Sequence, residues 1–261
     1  MMAATHITKE IQKRKLKISV IGIPKTIDND IYLIDRSFGF DTAVDMAVDV
    51  IRSAHNEAIS ASNGIGLVKL MGRDSGFIAA AATLAMPDVN FCLIPECDFD
   101  LEGPPGLLEA LRHRLLRRRH CVIVCAEGAG QKFFTDQVSH RDASGNIRLE
   151  DIGIFLKEQI NTYFEKIGTK ITLKYIDPSY TIRSVAANAN DHILCGFLGR
   201  GAVHAGMAGK TTMLVGLCNN QLVHIPMAPT AGKRKHVDLT GDMWMSVLET
   251  TGQTLLKNIL R

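Results

Sequence analysis

Short apolar runs alternate along the chain with longer segments whose apolar positions recur at helical spacing, a pattern typical of parallel strands joined by helices. Apolar runs predict strands at residues 16–23, 64–70, 89–94, 121–126, 171–176, 211–218 and 221–225. Helical spacing predicts helices at residues 5–15, 41–59, 77–86, 104–118, 151–167, 186–208 and 242–260. Residues 132–148 are polar and lack a period, which indicates a surface loop. The pattern therefore predicts an α/β protein, a three-layer α/β/α sandwich with mainly parallel sheets.

The composition is that of an ordinary globular protein and argues against several classes. Hydrophobic residues make up 46% and charged residues 22% of the 261 positions, which suits one large or two ordinary domains. The net charge of +3 gives no reason to expect nucleic acid or a membrane surface as a partner. No apolar run reaches the ~20 residues of a transmembrane helix. Residues 1–6 lack the basic and apolar regions of a secretory signal, so we expect a cytoplasmic protein.

Two further patterns have both an ordinary and a functional interpretation. Basic residues crowd positions 112–120, where they can bind RNA or direct nuclear import. Cations also complement the C-terminal end of a helix, and no aromatic residues interleave with them to stack bases. The six cysteines show neither CxxC pairs nor a zinc spacing with histidine. We therefore expect a basic helix end and small buried thiols.

A polar cluster follows the first apolar run, Leu16 to Ile23, which we predict to be a buried parallel strand ended by the next residue, a proline. Asp28 and Asp30 lie two residues apart and follow Lys25 and Thr26. Two carboxylates beside an ammonium and a hydroxyl can divide the work of a base and a metal ligand, as phosphoryl transfer requires. A turn whose side chains only bond local backbone amides is an equally good interpretation.

Polar residues also follow three of the later strands, at the edge where open α/β sheets bind ligands. A glycine-containing loop with Arg73 precedes a helix for which Ser75 is the expected N-cap, and this arrangement suits a phosphate. Glycines also end strands for purely steric reasons. The other two loops offer a carboxylate, Glu127, and a phenol with a guanidinium, Tyr180 and Arg183.

The four loops contain, in chain order, Pro-Lys-Thr-Ile-Asp-Asn-Asp, Met-Gly-Arg-Asp-Ser-Gly-Phe-Ile-Ala, Ala-Glu-Gly-Ala-Gly-Gln and Lys-Tyr-Ile-Asp-Pro-Ser-Tyr-Thr-Ile-Arg. This set resembles the motifs of the 6-phosphofructokinases, most closely the plant and trypanosomatid branch that uses ATP. The resemblance covers about residues 5–255. It implies an Mg²⁺-dependent enzyme of glycolysis that transfers a phosphoryl group from ATP to the 1-hydroxyl of D-fructose 6-phosphate, giving fructose 1,6-bisphosphate.

The resemblance also implies a role for each loop residue. Asp28 would be the general base for the 1-hydroxyl, and Thr26 would contact the same substrate. Arg73 would offset charge on the transferred group. Lys25 would contact the donor phosphate, and Asp30 would help to hold magnesium. The other residues implied in binding the sugar phosphate are Ile27, Met71, Gly72, Glu127, Lys174, Tyr180, Thr181, Ile182 and Arg183.

The family's organisation implies two lobes, the first incomplete in this chain, and an oligomer. Residues 1–40 and 183–261 would belong to the nucleotide-donor lobe, and residues 41–182 to the sugar-phosphate lobe. Glu127 would accept hydrogen bonds from sugar hydroxyls. Lys174 would reach the substrate of a neighbouring subunit, so we expect a homo-oligomer or association with full-length subunits.

Two departures from the family pattern leave alternatives open. Residues 1–25 contain neither the glycine-rich donor loops nor the Gly-Gly-Asp-Gly motif that the family carries upstream of its equivalent of Thr26. We therefore expect a family member without its N-terminal donor-binding part. On its own, this chain should bind fructose 6-phosphate weakly at best and should not phosphorylate it. Lys25 is typical of pyrophosphate-using members, although the ATP-using branch has it too.

The alternative functions are therefore a catalytically incompetent paralogue that acts as a binding or regulatory subunit, and a pyrophosphate-dependent member of the family. An unrelated nucleotide-binding or phosphatase domain would need an upstream glycine fingerprint or an Asp-x-Asp nucleophile at a first strand. The sequence has neither.

Overall fold

The computed structural model describes residues 2–134, 149–230 and 232–257. Helices are α1 (Met2–Lys13), α2 (Phe40–Ser60), α3 (Phe77–Ala85), α4 (Leu107–Arg118), α5 (Ile152–Lys166), α6 (Ser179–Arg183), α7 (Ala189–Met207), α8 (Met227–Thr230) and α9 (Asp242–Thr251). Strands are β1 (Ile21–Gly22), β2 (Gly64–Leu70), β3 (Phe91–Leu93), β4 (His120–Ala126), β5 (Thr172–Ile176), β6 (Met213–Cys218) and β7 (Gln221–Pro226). Of the predicted surface loop, residues 135–148 lie outside the described residues, and Gln131–Phe134 form a 3₁₀ helix.

The chain divides into two compact units. Unit 1 consists of Met1–Ala43 and Val185–Lys235, and unit 2 of Val44–Ser184 and His236–Arg261. The C-terminal residues differ from the expected division, because they belong to unit 2 and not to the unit that contains residues 1–40. The reason is burial: Trp244 and Val247 of α9 are fully buried, and α9 packs against α3 and β3.

Unit 2 contains a fully parallel four-stranded sheet in the order β3-β4-β2-β5. Strands β2 and β4 pair along their whole length, from Gly64 with His120 to Leu70 with Ala126. Both central strands are buried on both faces, which explains why they are continuous apolar runs in the sequence. The predicted α/β class with mainly parallel sheets is confirmed.

Helices cover both faces of the unit 2 sheet, which makes this unit a three-layer sandwich. On one face, Ile65 and Leu67 of β2 join a core with the apolar sides of α4 and α5. On the other face, Gly66 lets α2 come close, since a methyl group there would lie 2.9 Å from the carbonyl oxygen of Ala54. Small and large residues therefore alternate along the first half of β2, from Gly64 to Leu67, to fit a different layer on each side.

Unit 1 contains a mixed three-stranded sheet in the order β1-β6-β7, in which β1 is parallel and β7 antiparallel to β6. The buried strand predicted at Leu16 to Ile23 is wrong in length and burial, because β1 has only two residues and Leu16 and Ile18 are 48% and 54% exposed. Within the described residues β1 pairs only with β6, so the preceding apolar side chains have no second strand against which to pack.

Two predicted helix ends also need correction. Helix α9 ends at Thr251 and not at residue 260, because Gly252 adopts a left-handed conformation with φ of 64° and its amide closes the last turn on the Leu248 carbonyl. Ser75 is not the N-cap of α3. That position is taken by Gly76, which has no side chain to accept from the first turn, and its own amide donates to the carboxylate of Glu96 at 3.0 Å.

Three of the cysteines, Cys92, Cys121 and Cys125, are buried as the sequence analysis expects, whereas Cys97, Cys195 and Cys218 are half-buried. All six thiols are free, and burial raises the pKa of Cys92 and Cys121 to about 12, so they remain protonated and behave as small apolar side chains. Among the described residues, no group of three or more metal-binding side chains is present. No described helix is both long and apolar enough to cross a membrane.

Candidate active-site residues in the two units

The loops that follow β2, β4 and β5 begin at the same edge of the unit 2 sheet. This follows from the register, which aligns Leu70 with Ala126 and Val68 with Ile176. Backbone hydrogen bonds continue past the strands, from the Gly128 amide to the Gly72 carbonyl at 3.1 Å. The predicted residues 71–73, 127 and 177–183 therefore share one edge, as expected for a parallel sheet.

Glycines allow two of these loops to touch. A methyl group at Gly128 would overlap the carbonyl oxygen of Arg73, and one at Gly72 would overlap that of Ser75. Gly72 also has φ of 132°, a conformation that other residues rarely adopt. The loop carrying Arg73 is therefore pressed directly against the loop carrying Glu127.

Cationic and anionic side chains come together at this edge. The guanidinium of Arg183 donates from Nε to the sulfur of Met71 at 2.8 Å. Burial raises the pKa of the half-buried Glu127 carboxyl above its usual value, while the positive charges of Arg183, Lys69 and Arg73 act in the opposite direction. The geometry thus groups Met71, Arg73, Glu127 and Arg183, as the sequence predicts for a sugar-phosphate site.

Four other predicted residues differ from one another in exposure and in position along the sheet. On α6, Tyr180 is 88% exposed and Thr181 is exposed, whereas the Ile182 side chain is buried and can offer a ligand only its backbone. Lys174 is exposed in the middle of β5, where it pairs with Gly66. At ~3.3 Å per residue this level is ~13 Å below the end of β2, so Lys174 does not join the edge group of its own unit.

Lys69 is a residue that the sequence analysis missed. Its ammonium lies 2.6 Å from a carboxylate oxygen of Asp151 and 2.9 Å from one of Asp177. The Tyr175 hydroxyl donates to Asp151 at 3.0 Å. A lysine inside an otherwise apolar strand was the available signal, because a charge at such a position needs a buried partner.

In unit 1, the polar loop after β1 is tied together by its own side chains. Asn29, which has φ of 56°, accepts a hydrogen bond from the Ser37 amide at 2.9 Å and donates to the Asp35 carbonyl at 3.1 Å. The Thr26 hydroxyl accepts from the Asp28 amide at 3.2 Å, and Ile27 lies beside Gly39. Lys25 is exposed. The loop is thus an ordered turn that also presents the half-buried Asp28.

The carboxylate of Asp30 does not fit the predicted magnesium site. Its Oδ2 is paired with Arg234 at 2.5 Å, and its backbone carbonyl accepts from the Lys235 amide at 2.7 Å. A magnesium ion is held by carboxylate and carbonyl oxygens together with water. In Asp30 the guanidinium of Arg234 is paired with a carboxylate oxygen that such an ion would need. Asp30 therefore serves as an anchor that joins this loop to Arg234 and Lys235.

Comparison with known proteins identifies the family. The sequence profile described as "Phosphofructokinase" matches residues 2–206, and the chain belongs to that family. It is 54% identical over 259 residues to an ATP-dependent 6-phosphofructokinase from Borreliella burgdorferi, covering 97% of this chain and 58% of the relative. ATP-dependent 6-phosphofructokinase 1 of Arabidopsis thaliana is 52% identical, with coverage of 96% and 54%. An ATP-dependent 6-phosphofructokinase from Trypanosoma brucei brucei is 44% identical, with coverage of 95% and 51%.

The resemblance to the plant and trypanosomatid branch is thereby confirmed, and the chain spans about half the length of the curated relatives it matches. Solved structures agree in fold. A pyrophosphate-dependent phosphofructokinase from Marinobacter aquaeolei has a TM-score of 0.71 at 21% identity, covering 95% of this chain and 63% of its own. Phosphofructokinase from Pichia pastoris has a TM-score of 0.63 at 20% identity, covering 94% and 25%. At such low identity these two structures show the fold alone.

Proposed function

We propose that this protein, as part of an oligomer, phosphorylates D-fructose 6-phosphate at its 1-hydroxyl with ATP as the donor. The observation that carries the proposal is the edge group of unit 2, in which Arg73 and Glu127 lie on glycine-packed loops and Arg183 of α6 contacts Met71. Two guanidiniums suit a phosphate, because their planar forks match its oxygens. A carboxylate beside them suits the hydroxyls of a sugar. A phosphorylated sugar combines both chemistries.

In the proposed mechanism, Asp28 takes the proton from the 1-hydroxyl as that oxygen attacks the transferred phosphoryl group. Arg73 stabilises the charge that spreads over the phosphoryl oxygens in the transition state, and this is the term that phosphoryl transfer depends on most. Arg183 and Tyr180 bind the 6-phosphate, and Glu127 accepts hydrogen bonds from the sugar hydroxyls. Thr26 and the backbone of Ile182 complete the contacts with the substrate.

ATP is the proposed donor because the curated relatives, at 44–54% identity over most of this chain, are named ATP-dependent. The pyrophosphate-dependent structure supports only the fold, and the exposed Lys25 is compatible with either donor. The experiment is an assay of fructose 1,6-bisphosphate formation with ATP and, separately, with pyrophosphate, each with magnesium present. Titration calorimetry with fructose 6-phosphate should accompany it. Turnover with pyrophosphate alone would reverse the donor assignment, and binding without turnover would favour the binding or regulatory subunit.

We also propose that the protein acts as an oligomer, formed with its own copies or with full-length subunits, in the cytoplasm. Helix α7 supports this, since Ile193, Phe197, Val203 and Met207 are exposed on it. The exposed Lys174 is available to a neighbouring subunit. Mixing Lys174→Ala chains with Asp28→Asn chains should restore some activity if sites are shared, because one composite site would keep both residues. No restoration would place Lys174 in its own subunit's site or in none.

A further inference from the structure

Lys69 is the one residue of β2 that is not fully buried, and its side chain is still only 13% exposed. Two carboxylates, from Asp151 and Asp177, lie within 2.9 Å of its ammonium. Although burial alone lowers the pKa of this lysine, the hydrogen bonds to both carboxylates outweigh it and raise the pKa above its ordinary value. Lys69 is therefore a buried permanent cation.

Each of the two carboxylates also fixes a backbone segment. Asp177 is the first residue after β5, and its Oδ1 accepts a hydrogen bond from the Ser179 amide at 3.2 Å, at the start of α6. Asp151 is the N-cap of α5 and accepts from the Ile154 amide at 3.0 Å. Lys69 therefore joins the end of β2, which continues into Met71 and Arg73, to the segment that carries Tyr180 and Arg183.

The surrounding packing leaves this link little freedom. The Tyr175 ring lies so close to Gly153 that a methyl group there would overlap it. The Tyr175 hydroxyl is held by Asp151, the same residue that holds Lys69. The link also matters electrostatically, because Lys69 and Asp177 act with opposite sign on Glu127. Without the ammonium, two carboxylates would stand uncompensated beside an edge that must receive an anion.

We propose that Lys69 is a positioning residue that holds Asp177, and through it residues 177–183, against the loop of residues 71–73 so that the unit 2 edge accepts a phosphorylated sugar. This inference rests on the proposed function for its ligand, but the link itself does not. The residues that touch the substrate are still Arg73, Arg183 and Glu127, and Lys69 acts through Asp177.

A second network of similar composition in unit 2 supplies the control. Arg112 donates to Glu109, and the Tyr163 hydroxyl donates to the same carboxylate at 2.7 Å. This network is more exposed, with Arg112 at 37%, and it lies beside Asn63 and Arg119, which precede the amino ends of β2 and β4. Removing Arg112 therefore breaks an equivalent ion pair at the opposite edge of the same sheet.

The binding test compares Lys69→Met, Lys69→Arg, Asp177→Asn and Arg112→Met by titration calorimetry with fructose 6-phosphate on the full chain. We expect Lys69→Met to weaken binding by ~10–100-fold, as for one partner of a buried charge pair, and Lys69→Arg to restore part of the affinity. The double variant Lys69→Met/Asp177→Asn should bind more tightly than Lys69→Met, because it removes the uncompensated carboxylate. Arg112→Met should bind like the parent. Binding by Lys69→Met within about twofold of the parent, or equal losses in Lys69→Met and Arg112→Met, would overturn the inference.

Hydrogen exchange on the ligand-free protein separates this inference from the proposed function. Lys69→Met should exchange faster than the parent at amides 177–184, Lys69→Arg should not, and Arg112→Met should leave this segment unchanged. If the parent does not bind fructose 6-phosphate, the proposed function fails while faster exchange at 177–184 still supports the link. Unchanged exchange there overturns the link whatever the binding. Should Lys69→Met not fold, Asp177→Asn carries both measurements, since Lys69 keeps Asp151 in that variant.

Discussion

The two loop regions that carry the predicted site residues are supported by different forces. At the edge of the unit 2 sheet, loops rest on buried parallel strands, and Gly72 and Gly128 let them make direct backbone contact. In unit 1, the loop after β1 follows a strand of only two residues, and it is held mainly by polar contacts of Asn29, Asp30 and Ser37. Packing fixes the proposed binding residues, whereas hydrogen bonds and an ion pair fix the proposed base.

The difference predicts how each region tolerates change. The stability of closely packed loops depends on side-chain volume, because protein interiors have no room for an added methyl group. Loops held by polar contacts respond to loss of a donor or acceptor, to protonation and, for exposed pairs, to salt. Substitutions of each kind, made in each region, therefore test the comparison directly.

The largest effect is expected in the unit 1 loop, from Asp28→Asn. The amide keeps the shape of the carboxylate and loses its basicity, so kcat should fall by ~10²–10⁴-fold while the affinity for fructose 6-phosphate changes by no more than several-fold. Steady-state kinetics and calorimetry measure the two quantities. Asp45→Asn, on the exposed face of α2, is the control and should leave both unchanged. If Asp28→Asn keeps more than about a tenth of the parent kcat, Asp28 is not the base.

In unit 2, removing either arginine should act on the anionic substrate. Arg183→Met should raise KM for fructose 6-phosphate by ~10–100-fold, the range for a lost charge-assisted hydrogen bond. Arg73→Met should raise KM and also lower kcat, because its interaction with the transferred group is strongest in the transition state. Arg52→Met, whose guanidinium is paired on the surface with Asp49, is the control. Unchanged kinetics in Arg183→Met would remove the observation on which the binding site rests.

Gly128→Ala tests whether packing supports the unit 2 edge. Its methyl group would meet the Arg73 carbonyl, so the two loops must separate, at a cost of ~1–3 kcal/mol. We expect a lower unfolding midpoint in urea and weaker binding of fructose 6-phosphate. Gly199→Ala is the matched control, because nothing lies within 4 Å of the added atom and alanine favours a helix. Equal stabilities of the two variants would show that the close approach of the loops is not required.

Asn29→Gly tests the polar support of the unit 1 loop. Glycine keeps the left-handed backbone, while the Ser37 amide loses its Asn29 acceptor and the Asp35 carbonyl keeps only the Lys235 ammonium, at a cost of ~1 kcal/mol per hydrogen bond lost. Hydrogen exchange at amides 26–38 should become faster, and calorimetry should find the binding of fructose 6-phosphate little changed. A loss of binding as large as that in Gly128→Ala would mean that the two regions are not supported separately.

The sequence predicted best what depends on burial along one element. Strand β2 was predicted with its observed bounds, because a run buried on both faces is mostly apolar, and the one charge within it, Lys69, is paired. The run from Leu16 to Ile23 is equally apolar, yet only two of its residues form a strand. Hydrophobicity does not report which strands lie beside a segment, and among the described residues β1 pairs only with β6.

The site residues show the same division between features that the sequence predicts and features that it does not. The edge group of Arg73, Glu127 and Arg183 was predictable, because parallel strands bring their carboxyl ends to one edge whatever lies between them in sequence. The partners of charged side chains were not predictable. Asp30 pairs with Arg234 and Lys69 with Asp151, 204 and 82 residues apart, and no local pattern specifies such pairs. Thus the sheet topology was enough to predict which side chains lie at the edge. The partners of charged side chains could be identified only in the folded structure.

The smallest expected effects are pH dependences of opposite sign in the two regions. In unit 2, burial raises the pKa of Glu127 in the folded protein above its ordinary value of 4.5. At pH values between the unfolded-state pKa and the folded-state pKa, the folded state binds more protons, so stability falls as pH rises. In unit 1, burial lowers the pKa of Lys235 from 10.5 to about 8, although Asp35 and Asp30 act against the shift. Between those two values the unfolded state binds more protons, so stability rises with pH.

Urea unfolding of the parent, Glu127→Gln and Lys235→Met at a series of pH values separates the two contributions. Relative to Glu127→Gln, the parent should lose stability as pH rises from about 4.5 and should then level off, because both states are ionised above the folded pKa. Relative to Lys235→Met, it should gain stability from about pH 8 upward, as the buried ammonium loses its proton. Lys235 also donates to the carbonyls of Ile34 and Asp35, so an overall offset between the curves is expected and only their slope is diagnostic. Parallel curves above pH 8 would mean that Lys235 keeps an ordinary pKa in the folded protein, and the unit 1 loop would then be less tightly enclosed than its contacts imply.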